Sequence, residues 1–284
     1  MRNGTRKRRR WDLFNILIRL FGGFIKLTGG YPRGVRNAMN VVVNELTLSF
    51  DDLPMAFDNY KILHLTDLHL DSTPGIEEII SNLVKSLSYN LCVMTGDYRA
   101  ATSGGFQKII DPMEQIVRSL QPPDGIWATL GNHDSYLMAD EFEQMGIGIL
   151  ANEKVLIQKG KQIIELTGVD DPHYYFSDQA QTILEQPSSH FKIALVHSPE
   201  LYDIAEINGF RLYLCGHSHG GQICLPGGIP LVTHLSHGKR YYRGLWKTGR
   251  LMGYTSQGCG VVGLPVRFNT QSEITLLTLR RKSV

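Results

Sequence analysis

The stretch KILHLTDLH, residues 61–69, sets a short apolar run against an abrupt polar ending. Residues 61–66 have the length and composition of a buried strand. Asp67 and His69 arrive immediately past its end. The same device recurs four times. LCVMT (91–95) runs into Gly96-Asp97, and IWATL (126–130) into Gly131-Asn132-His133-Asp134. KIALV (192–196) ends in His197, and RLYLC (211–215) in Gly216-His217-Ser218-His219.

Helical patterns lie between these runs. Gly75–Asn90 places Ile76, Ile79, Ile80, Leu83, Val84 and Leu87 at helical spacing, and Asp111-Pro112 opens a second helix through Leu120. Residues 137–146 and 199–208 read as two more. VVVNELTLSF (41–50) reads as a further strand, while 155–168 and 222–279 read as strand-rich, as a second sheet would. Alternating strands and helices predict an α/β layered fold. Ligands of such sheets bind in the crevice beyond the carboxyl ends of the strands, where all five polar groups fall.

Each group has an ordinary alternative: a helix cap at Asp67, an Asx turn at Asp97, a left-handed turn at Asn132, a satisfied core histidine at His197. The joint pattern points instead to metal ligation. Asp67, His69, Asp97, Asn132, His197, His217 and His219 are the candidate ligands. With Asp97 bridging, they suit two divalent ions about 3.5–4 Å apart. Two carboxylates against two dications leave the site positive, so it attracts a phosphate. Imidazole, carboxylate and amide donors favour Mn, with Fe, Zn or Co as alternatives. His133 is not needed as a ligand and can protonate the leaving oxygen or stabilise the developing charge, and Asp134 is the candidate to orient it, with a helix N-cap as its alternative.

In this order, DLH, GD, GNHD, a lone His and GHSH resemble the calcineurin-like metallophosphoesterases, over about residues 55–280. The resemblance implies a four-layer αββα sandwich, two mixed sheets flanked by helices, with two metals at the sheet edge. Carried onto this chain, Asp67, His69, Asp97 and His219 hold one metal. Asp97, Asn132, His197 and His217 hold the other, and His133 is the catalytic histidine. GHSHGGQ (216–222), Asn152-Glu153, GVDD (168–171) and GCGVVGLPVRFNTQSEI (258–274) resemble the YaeI/YkuE branch, whose members are phosphodiesterase-like. Some of its relatives cleave UDP-2,3-diacylglucosamine at a membrane. The protein phosphatases of the superfamily continue the GD block as GDxxDRG. Here it reads GDYRAAT, which argues against a phosphoprotein substrate.

The net charge of +2 hides an asymmetry. Residues 1–40 hold ten Lys/Arg and one acid, Asp12, for +9; the rest holds 19 basic and 26 acidic residues, for −7. The head RKRRRWDLFNILIRLFGGFIKL places Asp12, Asn15, Arg19, Gly22 and Lys26 on one narrow helical stripe, with apolar residues around the rest. Its charge-free runs are six residues long, far short of the roughly 20 needed to cross a bilayer. The expectation is an interfacial helix over residues 6–27, seating the enzyme on the inner face of the cell membrane from the cytoplasm. The alternatives are an amphipathic helix packed on the body and a processed secretory or twin-arginine signal. Arg19 and Lys26 interrupt any signal-like apolar region. Nucleic acid is not an expected partner, because the aromatics line an apolar face instead of interleaving with the basic residues.

Gly29, Gly30, Pro32 and Gly34 read as a linker, dividing the chain into a segment 1–40 and a metallophosphoesterase domain 41–284. Cys92, Cys215, Cys224 and Cys259 show no paired spacing and fit a reducing compartment. The basic Lys239, Arg240 and Arg243, with Tyr241, Tyr242 and Trp246, are candidates to shape the substrate side, with a plain solvated loop as the alternative. The favoured function is hydrolysis of a phosphodiester or pyrophosphate bond in a phosphate-ester substrate, lipid-linked and membrane-bound, with UDP-2,3-diacylglucosamine foremost. One rival is a phosphodiesterase acting on soluble nucleotides or cyclic nucleotides. Another is a non-catalytic, metal-stabilised membrane-binding module.

Overall fold

The computed structural model describes residues 22, 23, 25–173 and 177–282. Helix α1 (Tyr31–Met39) precedes β1 (Val41–Phe50) and β2 (Tyr60–Leu65). Helix α2 (Ile76–Lys85) leads to β3 (Leu91–Thr95), α3 (Ile110–Ser119) to β4 (Ile126–Thr129), and α4 (Ala139–Gln144) to β5 (Ile147–Ile149). A hairpin of β6 (Glu153–Lys159) and β7 (Gln162–Gly168) is followed by α5 (Asp178–Glu185), β8 (Phe191–Leu195), α6 (Tyr202–Ile207) and β9 (Leu212–Cys215). A ribbon of β10 (Cys224–Leu225) and β11 (Ile229–Pro230), a hairpin of β12 (Gly244–Thr248) and β13 (Leu251–Thr255), and the long β14 (Ser272–Arg281) follow.

Two six-stranded mixed sheets result. The first has the order β1-β14-β2-β3-β4-β5, the second β12-β13-β9-β8-β7-β6. In the first, β14 runs parallel to β1 and antiparallel to β2, while β2 to β5 are parallel. The two-residue period of each strand assigns its side chains to layers. Ile62, Leu91 and Val93 meet Ile193, Leu195, Leu212 and Leu214 in the core between the sheets. Their alternates Leu63, Leu65, Cys92 and Met94 pack under α2 and α3 through Ile76, Ile80, Val84, Met113 and Ile116. On the far side, Ala194, Val196, Tyr213 and Cys215 pack with Ala180, Leu184 and Ala205 of α5 and α6. The architecture is the expected αββα sandwich.

Three sequence readings need correction. The five site-bearing strands belong to both sheets, with β2, β3 and β4 in one and β8 and β9 in the other. The C-terminal strand is not part of the second sheet. Strand β14 returns to the first and fills the gap between β1 and β2. Residues 31–39 are not linker but helix. Pro32 lies in the first turn, where its missing N–H costs nothing. Gly34 faces the body so closely that a Cβ would sit 2.7–2.8 Å from Val266 and Phe268. That glycine marks a contact, not flexibility. The expected interfacial segment falls largely outside the described residues. Among those described, no helix is long and apolar enough to cross a membrane.

Candidate metal centre

The loops leaving the five strands are zipped together beyond the sheet ends. The Asp67 amide donates to Gly96 O at 2.9 Å, the His69 amide to Asp97 O at 3.1 Å, and the Gly216 amide to His197 O at 2.8 Å. The chain turns sharply where its polar groups emerge. Asp67, His69, Asp97, His217 and His219 all have positive φ, from 42° to 72°. Such backbone is costly for residues with a Cβ and persists where surrounding contacts over-determine it. Gly216 must be glycine, because a Cβ there would collide with Asp67 Oδ2.

All seven candidate ligands converge, and they fall into two groups. In one, His69 Nε2 lies 3.1 Å from His219 Nε2, and His219 Nε2 lies 3.4 Å from Asp67 Oδ1. In the other, His217 Nδ1 lies 3.1 Å from His197 Nε2 and 2.8 Å from Asn132 Oδ1, with His197 Nε2 3.0 Å from that same oxygen. Ligands at ~2.1 Å from a shared ion lie about 3.0–3.4 Å from one another, so these spacings are those of coordination edges.

Asp97 joins the groups. Its Oδ1 accepts the His133 amide at 2.9 Å, which turns Oδ2 toward the imidazoles. Oδ2 lies 3.3 Å from His197 Nε2, 3.7 Å from His69 Nε2 and 3.9 Å from His133 Nε2. One oxygen thus faces both groups.

The protonation chemistry suits metal binding. His69 Nδ1 donates to Arg99 O at 2.9 Å and His197 Nδ1 to Thr95 O at 2.7 Å. A carbonyl can only accept, so each Nδ1 carries the hydrogen, and in the neutral ring each Nε2 is left with a lone pair. Burial holds His69 down at about 4, and burial also holds His217 and His219 well below the usual imidazole range. All three are therefore neutral ligands. Burial raises the Asp67 carboxyl to about 6, with the Asp97 charge adding to it. Against the same burial, His197, His133 and His69 hold the Asp97 carboxyl well below the usual range. Burial opposes a proton on His197, yet Asp97 and Asp67 raise its pKa well above normal.

His133 and Asp134 lie at the same site, with a correction. Asp134 does not orient the His133 ring. Its Oδ2 accepts the amides of Asp97 at 2.7 Å and Gly131 at 2.8 Å, and its Oδ1 accepts that of Tyr98 at 2.9 Å. It ties the GD turn to the GNHD turn. The His133 ring is held by Nδ1 donating to Ala100 O at 2.6 Å, and its main chain by Arg99 Nε donating to His133 O at 2.7 Å. Both groups come from the GDYRAA run where this chain departs from the phosphatases.

A model of the calcineurin-like phosphoesterases matches residues 60–221. The chain belongs to that family. It is a metal-dependent phosphoester hydrolase, and the family implies a dinuclear divalent metal centre, which the two ligand groups fit. The chain is similar to the metallophosphoesterase YkuE of Bacillus subtilis (strain 168), 30% identical over 78% of this chain and 79% of that protein. It is 27% identical to the phosphodiesterase YaeI of Escherichia coli (strain K12), over 78% and 82% respectively. A solved structure, TT1561 of Thermus thermophilus, superposes at TM-score 0.46 with 10% identity, covering 69% of this chain and 88% of that one.

Three further residues of this phosphoesterase site escaped the sequence. Arg267 is fully buried and donates to five carbonyls: His219, Gln271, Gln257, Gly258 and Gly260. It fastens the His217–His219 loop to the 257–260 turn, and its only forewarning was a lone arginine inside apolar LPVRF. His173 stacks on His217 at 4.1 Å between ring centroids, and its Nε2 lies 2.9 Å from Glu200 Oε2. Neither His173 nor Glu200 has a local pattern that marks it. Tyr241 and Trp246, by contrast, do not face a substrate. They are buried and stack at 4.4 Å in the outer core.

Proposed function

We propose that this phosphoesterase cleaves a phosphodiester or pyrophosphate bond with two metal ions that share Asp97. Asp67, His69 and His219 complete one ligand set; Asn132, His197 and His217 complete the other. The observation that carries this reading is Asp97 Oδ2, one carboxylate oxygen turned toward the imidazoles of both groups. Two bound divalent ions, Mn foremost, supply Lewis-acid polarisation of the phosphoryl oxygens and lower the pKa of an attacking water.

The protein contributes the rest. Carbonyls behind His69 and His197 fix the rings, so the donor atoms are pre-aimed before any ion arrives. His133 Nδ1 is committed to Ala100 O, so a proton on Nε2 is the one available to a leaving oxygen. His133 is accordingly the general acid. Asp134 and Arg99 act through the main chain, positioning the two turns on which Asp97 and His133 ride.

The substrate we favour is lipid-linked, with UDP-2,3-diacylglucosamine the first candidate. The basic amphipathic head then concentrates the enzyme where that substrate lies, on the inner face of the membrane. One observation favours the soluble-nucleotide rival: Gly22, near the end of that head, lies against Leu264 of the body.

Substituting His133→Ala tests the mechanism. Turnover of bis-p-nitrophenyl phosphate falls by about 10²–10⁴-fold while both metals stay bound. Unchanged turnover removes His133 from the chemistry. Comparing that diester with UDP-2,3-diacylglucosamine in detergent micelles tests the substrate, and preference for the small diester favours the soluble reading.

A further inference from the structure

The turn that carries His217 and His219 runs directly into the β10–β11 ribbon, and the ribbon has two unlike faces. Its inner face holds Cys224, whose Sγ donates to Gly220 O at 3.4 Å, and Pro230, packed against Gly221. On its outer face Leu225 and Ile229 are cross-strand partners. They are 49% and 60% exposed, and the adjoining Leu231 is 51% exposed. The run ICLPGGIPLVT (223–233) carries no charge. An apolar tip of this kind beside a catalytic centre is unusual on a protein meant to face only water.

Its surroundings say what covers it. From Ile207 to Ser272 the chain has 66 residues and not one Asp or Glu, against seven Lys/Arg, although acids make up 27 of the 284 residues overall. Arg243 sits at the ribbon's own turn, so close that a Cβ on Gly228 would lie 2.6 Å from its Nη2. Tyr242 OH donates to Gly228 O at 3.3 Å. Lys239 and Arg240 are exposed nearby in sequence. Apolar side chains at a tip with a guanidinium and a phenol at its base match the hydrocarbon-to-headgroup boundary of an anionic bilayer.

Gln222, between the metal turn and the ribbon, donates its Nε2 to Val262 O at 3.0 Å and Leu264 O at 2.9 Å, which ties the base of the ribbon to the 262–264 loop. We infer that the ribbon Cys224–Leu231 is a second membrane-insertion element, which seats the mouth of the metal site on an anionic lipid surface. The inference rests on the membrane reading above and adds to it. The N-terminal segment recruits, and the ribbon orients the site so that a headgroup phosphate meets the metals.

The test uses full-length protein and sedimentation with phosphatidylcholine vesicles, with and without phosphatidylglycerol. The double substitution Leu225→Asp/Ile229→Asp is expected to weaken binding to the anionic vesicles by at least about tenfold. Its turnover of bis-p-nitrophenyl phosphate should match the native enzyme, which shows that the fold is intact. Ile229→Trp, which adds an interfacial aromatic, should tighten binding. If both variants bind anionic vesicles as the native protein does, the ribbon is not an insertion element, and membrane attachment belongs to the N-terminal segment alone. If the native protein binds neither vesicle, the membrane reading falls and the ribbon inference with it.

Discussion

Strand β9 has a charged group at each end, and the two ends are built differently. Just before it, Arg211 donates Nε to Asp52 at 2.9 Å and Nη2 to Asp51 at 2.8 Å, and Arg250 Nη2 reaches both aspartates at 3.2 Å. Charge is matched there, and the aspartates keep substantial contact with water. Just after the strand, His217 and His219 meet Asp67, Asp97, Asn132, His69 and His197 in an almost wholly buried cluster. The first cluster is complete as it stands. The second brings together two groups of side chains that could each hold a metal ion. Carboxylates meet guanidinium groups at one end and imidazole donors at the other.

Substitutions can sharpen that contrast. The largest structural effect is expected at Arg267, which reaches the site from behind and donates to carbonyls. Burial already lowers its guanidinium pKa to about 10. Arg267→Met removes five hydrogen bonds, although the His219 and Gly258 carbonyls keep the amides of Gln222 and Glu273. It should cost roughly 3–5 kcal/mol in denaturant unfolding and weaken metal binding through the His217–His219 loop. A loss below ~1 kcal/mol would show that the loops are held by other contacts.

His64 gives a smaller effect that depends on pH. Its ring is fully buried between the sheets, with Nε2 2.8 Å from Thr95 Oγ1, and burial holds its pKa at about 3. The folded state therefore refuses a proton that the unfolded chain accepts near 6.5. The stability this gives is fully present above pH 6.5 and is lost toward pH 3, at about 1.4 kcal/mol per pH unit. His64→Gln should remove one proton's worth of that slope in unfolding measured between pH 6 and pH 4. An unchanged slope would mean that His64 takes up its proton in the folded protein.

The smallest effect is expected at the guanidinium end. Arg211→Ala should lower Tm by at most a few degrees and leave metal content and turnover unchanged. A loss of turnover there would break the contrast between the two ends.

Much of this was legible in the sequence. Each strand is a dense apolar run, and each candidate ligand follows one directly, so strand positions and the convergence of polar groups could be read locally. Alternation also announced layers. The pairing of β14 between β1 and β2 could not be read, because a period of two says which faces are buried and not which neighbour is bonded. Gly34 looked like a linker because the reason for its missing Cβ, Val266 and Phe268, lies more than 200 residues away. Asp134 looked like a partner for the adjacent His133, yet its oxygens reach back to amides at residues 97 and 98. Arg267 and His173 likewise act on parts of the chain that no local pattern links to them. Residues that present a group to a ligand carried a local signal, and residues that hold those groups in place did not.

Whether two metal ions share Asp97 can be read from one comparison. Metal content and bis-p-nitrophenyl phosphate turnover are measured on the native full-length protein and on Asp97→Ala after loading with Mn²⁺. Two ions per native chain are expected, and in the variant at most one ion and a loss of turnover of about three orders of magnitude or more. An Asp97→Ala protein that keeps both ions and native turnover would contradict the shared site.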